Sequence, residues 1–336
     1  MTYASTERLT ALLGTRHPII QDGMGPFRTN AIAIAVSKAG GLGTVSIPGM
    51  TKPPVEGKAT MKDFLLEVAT EHTGPFAVNV PVGRDAEGRV LSSTEAYISA
   101  LIESREESDA VRTAVTTIIT SAGFPGEFRE AIKASGVTHI HKVGSTRHAI
   151  KAEQAGVDAV IASGYEMGGH THAHPVHTFV LAPNVTEAVS IPVIVSGGVR
   201  DGRTMAAALA LGASGVAMGT RFIATEENVD WHPAYAREVL AMTEGGDTTF
   251  PAIYGPARGL ANEGVRELLE IVAEDRMTGD ELSRWKDARI ISAQETGDTV
   301  RGIMPMGQVA SGIHSIVSIG TFIEEMAAEA RRILGA

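Results

Sequence analysis

The sequence predicts an α/β chain folded as a TIM (β/α)₈ barrel, with a smaller helical subdomain inserted near the C-terminus. Three observations predict it. Short β-branched apolar runs recur eight times, separated by segments of helical period. Most of the runs are continuously apolar, as strands buried on both faces are. After Arg221 the pattern changes: 226–301 is more charged and carries helical candidates but no strand runs. The expected division is residues 1–222 plus 313–336 as the barrel and 223–312 as the helical subdomain or cap. A doubly wound open sheet is the competing architecture.

An amphipathic stretch, 6–13, precedes the first run at 18–21. The alanine-rich helix 29–39 leads to the second, 42–46, and the third is 76–80. Helical period at 94–104 leads to 114–119, and at 126–134 to 138–143. The helix 146–155 leads to the sixth run, 159–162; the seventh is 193–196. The helix 201–211 leads to the eighth, 215–218. Beyond the barrel, 233–242, 265–274 and 281–289 read as helices, and 313–334 as a final helix packing back on it.

Composition narrows the chemistry. The chain has 336 residues, 43% of them hydrophobic and 20% charged, which is globular rather than disordered or membrane-embedded. With no cysteine, a disulfide framework, a thiolate nucleophile and Cys-ligated metals are excluded. A net charge of −10 argues against nucleic acid or anionic membrane as the partner. The first 14 residues lack a basic flank before an apolar run, so no signal peptide is expected, and no stretch is long enough to span a bilayer. A cytoplasmic protein acting on a small molecule is the expectation; a homo-oligomer is compatible with it.

Barrel enzymes place their active sites at the C-terminal ends of the strands. The first run continues into Gln21-Asp22-Gly23-Met24, the third ends in Asn79 and the fifth in Lys142. The sixth continues into Ser163-Gly164 and then Glu166-Met167-Gly168-Gly169-His170. The seventh gives Ser196-Gly197-Gly198, the eighth Met218-Gly219-Thr220. Glycine turns on two consecutive strand ends present backbone N–H groups that can cradle a phosphate. The plainer reading is that these glycines only permit tight turns.

The motifs PIIQDGM, GGLGT, FAVNV, GYEMGGH, SGGVRDG and GASGVAMGTRF occur in this order over 17–222, with GPARGLAN at 255–262. Together they resemble the nitronate monooxygenase family, also called 2-nitropropane dioxygenases, which is related to flavin-dependent enoyl-thioester reductases. The resemblance implies FMN at the barrel mouth, its phosphate on Gly197-Gly198 and Gly219-Thr220. It implies ring contacts from the Asp22-Gly23-Met24 backbone, Asn79 and Lys142, with Ser163, Gly164, Gly168, Gly169, Ser196 and Met218 completing the cofactor site. Features of two segments depart from the family pattern. Asp22-Gly23 stands where Ala-Pro is common; after the sixth run, Ser163-Gly164 stands where Gln-Gly is common, and His172 takes the place of the glycine in the usual Gly-Gly-His-x-Gly turn.

His170, His172, His174 and His177 fall within eight residues. A metal site is one reading, but no carboxylate follows within the cluster and Pro175 points to an irregular loop, so no metal is expected. His170 matches the family's active-site histidine, which exchanges a proton or holds an oxyanion. Further on, Tyr254, Arg258, Asn262, Gln308 and Ser311 are candidates for the pocket border, while Trp231 and Trp285 read as packing. The expected activity is FMN-dependent oxidation of alkyl nitronates by O₂ to a carbonyl compound and nitrite. The alternative is NAD(P)H-dependent reduction of an enoyl thioester or quinone. From another class, a barrel that binds a phosphorylated metabolite without turnover, or a histidine-metal lyase, remains to be distinguished.

Overall fold

Eight strands form one parallel sheet in the computed structural model, which describes residues 3–71, 73–85, 87–252 and 255–335. They are β1 (Ile19–Gln21), β2 (Gly43–Ser46), β3 (Phe76–Val82), β4 (Val115–Ala122), β5 (Thr138–Val143) and β6 (Ala159–Ser163), followed, after the short β7 (Gly169–His170) of a second sheet, by β8 (Val193–Ser196) and β9 (Gly215–Met218). Neighbours run β1-β9-β8-β6-β5-β4-β3-β2. The ends of this row meet where Ile20 bridges Leu42. Gln21 fastens the seam with its side chain: its amide donates to the Thr44 carbonyl at 3.0 Å and accepts from the Thr44 N–H at 3.0 Å. The competing open sheet is therefore set aside.

The barrel is filled by one buried cluster: Ile20, Leu42, Ala77, Ile119, Ile140, Ala159, Ile161, Ile194 and Ala217. Helix α1 (Tyr3–Leu13) closes the N-terminal end by adding Leu9 and Leu13 to that cluster. Side chains alternate across a strand. The residues two positions beyond these interior ones therefore point toward the other end, and they are polar or small: Asp22, Asn79, Ser121, Lys142, Ser163, Ser196 and Gly219. One periodicity thus seals one end and furnishes the other.

Around the sheet run α2 (Asn30–Lys38), α3 (Pro54–Thr70), α4 (Ser92–Glu107), α5 (Asp109–Ala114), α6 (Arg129–Ala134), α7 (Thr146–Gln154), α8 (Thr178–Ala188), α9 (Gly202–Ala210) and the single turn α10 (Thr220–Ile223). Helices α3 and α8 are absent from the sequence reading. Asp201 caps α9 by accepting from Thr204 N–H at 2.9 Å, while the Thr204 hydroxyl returns a bond to the Asp201 N–H at 3.0 Å.

The segment beyond the barrel holds α11 (Pro233–Ala241), β10 (Asp247–Ala252), β11 (Gly255–Leu260), α12 (Glu263–Ala273) and α13 (Gly279–Glu295). The expectation of no strands in this segment is corrected: β10 and β11 pair antiparallel and β11 then pairs with β7. Pro251 opposite Pro256 and the glycines of β11 disguise the pair, since residues without an N–H or side chain read as turn. The final helix α14 (Ile319–Leu334) packs Ile319, Ile323, Met326 and Ala330 against Met205 and Ala206 of α9. Among the described residues no helix is long and apolar enough to cross a membrane.

Candidate active site

The polar end of the barrel opens into a cavity of about 290 Å³ roofed by the inserted segment. Its floor is an ionic cluster. Lys142 Nζ lies 2.6 Å from Asp22 Oδ2, and the Ser196 hydroxyl donates to the same oxygen at 2.9 Å. The side chains of Asp22 and Lys142 are only 7% and 11% exposed, so the pair is held away from bulk water. Asp22 Oδ1 accepts from the Gly23 N–H at 3.0 Å, and the Met24 N–H donates to the Ser46 hydroxyl at 2.9 Å. Gly23 must be glycine, because a Cβ there would meet the Asn79 side chain at 2.4 Å. The Asn79 amide donates to the Ile119 carbonyl at 3.2 Å.

One side of the floor is the double glycine turn. Gly197 and Gly198 have φ of +97° and +77°, which side-chain-bearing residues rarely adopt. Together with Gly219 they line the cavity, and among the described residues no acceptor takes a bond from the N–H of any of the three. Half-buried N–H groups at a cavity, left without an acceptor in the described fold, form a nest of donors suited to an anion. The Glu166 carboxylate stands beside it, but its oxygens are engaged by the Thr178 N–H at 3.1 and 3.2 Å and by His177 at 3.2 Å.

His170 is set opposite by β7. Its backbone pairs with Ala257 of β11, and the next N–H, that of Thr171, donates to the Pro256 carbonyl at 2.8 Å. The imidazole is exposed to the cavity, yet protein encloses the space around it. That desolvation, reinforced by the charges of Lys286 and then Lys142, pushes its pKa down to about 3. His170 is therefore neutral near pH 7, able to give or take a hydrogen bond. His172 also lines the cavity; burial pushes its pKa down to about 4, and its Nε2 has no hydrogen-bond partner among the described residues. His174 is exposed. No group of three His, Cys, Asp or Glu among the described residues is arranged to hold a metal.

Most residues singled out from the strand ends come together here. Asp22, Gly23, Met24, Asn79 and Lys142 line the cavity, as do Gly168, Gly169 and His170 and, on the far strands, Ser196, Gly197, Gly198, Met218, Gly219 and Thr220. Ser163 and Gly164 do not line it. Ser163 is fully buried, its hydroxyl without a partner among the described residues, and Gly164 is packed against Thr178, whose hydroxyl a Cβ would strike. Arg258 is turned to a structural carboxylate: it pairs with Asp247 and lies 5.0 Å over the Tyr165 ring. Asn262 caps α12 and binds the Thr299 and Gly302 carbonyls. Gln308 donates to Asp247 at 3.3 Å, and Ser311 donates to the Gln308 carbonyl. Tyr254 lies outside the described residues.

Sequence reasoning missed the roof. Trp231, read as packing, reaches the cavity while its N–H donates to the Arg28 carbonyl at 2.8 Å. Tyr235, Phe250 and Ile290 join it. Lys286, Asp287 and Gln294 of α13 also line the cavity, and the Gln294 Oε1 has no partner among the described residues. A signal was present: 286, 290, 293 and 294 share one helical face, marked by Ile290 and Ala293. Its polar members disguised it as a solvated face.

A family profile described as nitronate monooxygenase matches residues 6–329. The chain is 40% identical over 220 residues to a (3aS,4S,5R,7aS)-5-hydroxy-7a-methyl-1-oxo-octahydro-1H-indene-4-carboxyl-CoA dehydrogenase of Rhodococcus jostii, a match covering 66% of this chain and 56% of that protein. It is 30% identical over 293 residues to a probable nitronate monooxygenase of Staphylococcus saprophyticus, covering 78% of this chain and 81% of the other. Among solved structures, FabK from Thermotoga maritima superposes with a TM-score of 0.83 at 33% identity, covering 98% and 97% of the two chains. A nitroalkane oxidase from Streptomyces ansochromogenes gives 0.78 at 25% identity, covering 97% and 99%.

Proposed function

The chain belongs to the nitronate monooxygenase family and is an oxidoreductase of the flavin-dependent kind, and from that premise we propose that it binds FMN in the cavity and oxidises alkyl nitronates with O₂ to a carbonyl compound and nitrite. The observation that supports this most is the pairing, in one cavity, of three unpartnered glycine N–H groups with a neutral histidine across from them. Those N–H groups fit a phosphate, and Thr220 stands beside them. Asn79, Lys142 and Asp22 would border the isoalloxazine. The N–H groups of Asp22, Gly23 and Met24 already have partners, so this segment offers the ring its carbonyls and surface rather than donors. Bound FMN supplies the electron-accepting ring.

The chain's own residues then do the rest. Neutral His170 donates a hydrogen bond from its ring N–H to the substrate oxygen nearest it. The Lys142 ammonium keeps donors free after meeting Asp22, and it stabilises negative charge at the floor. Trp231, Tyr235, Phe250 and Met167 exclude water from the reacting face. Residues 223–312 serve as the cap, and the cytoplasm is the proposed compartment.

A second reading keeps FMN and uses NAD(P)H to reduce an enoyl thioester or quinone; the likeness to FabK and to a carboxyl-CoA dehydrogenase favours it. One sample decides. Purified protein should be yellow and should consume O₂ and release nitrite with propane-2-nitronate. Rapid anaerobic bleaching by NADPH, with no nitrite formed in the first assay, would replace the first reading by the second. Colourless protein that cannot be reconstituted with FMN would end both.

A further inference from the structure

Helix α13 carries two adjacent charges across the cavity, and they turn different ways. Asp287 also faces the loop after β2: the Thr51 side chain favours its charged form, and its charge is felt by Tyr97. Lys286 lines the cavity, and its charge is felt by His170. Only 3% of Lys286 is exposed. Among the described residues no carboxylate oxygen comes within 4.0 Å of its Nζ, and no oxygen accepts a hydrogen bond from it. The one carboxylate whose charge it feels, that of Asp287, stands beyond 4.0 Å, and a buried ammonium so weakly compensated is costly to maintain. Burial accordingly lowers its pKa below the ordinary lysine value.

The contrast with the floor sharpens the point. Lys142 is matched by Asp22 and cannot supply a full uncompensated charge. Lys286, offset only by Asp287 from beyond 4.0 Å, keeps more of its charge and all of its donors for a ligand, on the wall lined with His170. One helical turn along, Ile290 offers the same cavity an apolar surface. The wall is therefore complementary to a small molecule with an anionic oxygen and an apolar body.

We propose that Lys286 anchors an anionic oxygen of the substrate, holding it between its ammonium and the His170 imidazole. The inference rests on the oxidoreductase reading of this cavity. It names one chemistry, a delocalised oxyanion next to the reacting carbon, available from a nitronate or from the enolate of a thioester.

Calorimetric titration of the purified holoenzyme with butyrate and its neutral isostere butyramide tests the anchor independently of turnover. Wild-type protein binds butyrate about tenfold more tightly, as a charge-assisted hydrogen bond provides. Lys286→Met brings the two ligands within about twofold of each other, and Lys286→Arg retains most of the preference. Lys286→Gln, closer in polarity, replaces the Met variant should that one unfold. A wild-type protein indifferent to charge, or a preference that survives loss of the lysine, overturns the proposal. Steady-state assays separate the sources: the variant raises KM about tenfold for propane-2-nitronate if that is the substrate, or for an enoyl thioester with NADPH if that is. Turnover of neither sinks the functional reading, while the calorimetry still decides the anchor.

Discussion

The floor and the roof of the cavity handle charge in opposite ways. On the floor, Asp22, Lys142 and Ser196 satisfy one another over 2.6–2.9 Å. On the roof, Lys286 is as deeply buried and has no such partner among the described residues. The floor's opposite charges are matched within the folded chain. The roof carries a charge that Asp287 offsets only from beyond 4.0 Å. A buried ionic group that is paired internally is part of the scaffold; one left unpaired at a cavity is complementary to something that comes and goes.

Four substitutions probe that contrast, taken from the largest expected effect down. His170→Ala lowers kcat/KM by about 10²–10⁴-fold on the general acid–base scale while leaving flavin content unchanged; full activity would remove the histidine from the chemistry. Asp22→Ala strands Lys142 and costs about 3–5 kcal/mol by denaturant unfolding, the amount typical of breaking a buried pair from one side. Gly197→Ala forces a side chain to φ +97°, with its Cβ 3.1 Å from the Gly164 carbonyl oxygen. That strains the turn by about 1–3 kcal/mol, and weaker flavin retention is the readout. Lys286→Met should leave stability unchanged or raise it by about 1 kcal/mol, the reverse in sign of Asp22→Ala. Equal losses from the two would erase the distinction between floor and roof.

Acid should act on a further set of buried groups. Burial pushes His139 down to about 4 and His141 down to about 3, with the Thr120 hydroxyl 2.8 Å from each ring, and His172 also falls to about 4. In the unfolded chain these rings titrate near 6.5. Between that value and their folded values the unfolded state binds more protons, so stability rises with pH there and is lost as pH falls. The melting temperature should therefore drop from pH 6.5 to 4. A flat profile over that range would mean the histidines are hydrated.

The floor was legible because two periodicities agree. Strand alternation carries the pattern from Ile20 to Asp22, Ala77 to Asn79, Ile140 to Lys142 and Ile194 to Ser196, so strand ends alone locate the site. Ser163 obeys the same alternation but stays below the cavity, which shows that period fixes the face and not the depth. The roof was not legible, for several physical reasons. Helix α3 hides behind Pro53-Pro54, and α8 contains Pro183. The hairpin β10–β11 is written in turn residues because tertiary pairing, not local propensity, makes it a strand pair. The buried face of α13 is mostly polar, so only assembly over the barrel distinguishes it from a solvated one.

The two-residue strand β7 has one last consequence. The backbone that carries His170 is bonded to a hairpin of the overlying segment. Lifting that hairpin would shift the imidazole with it, so an opened enzyme is also a disarmed one.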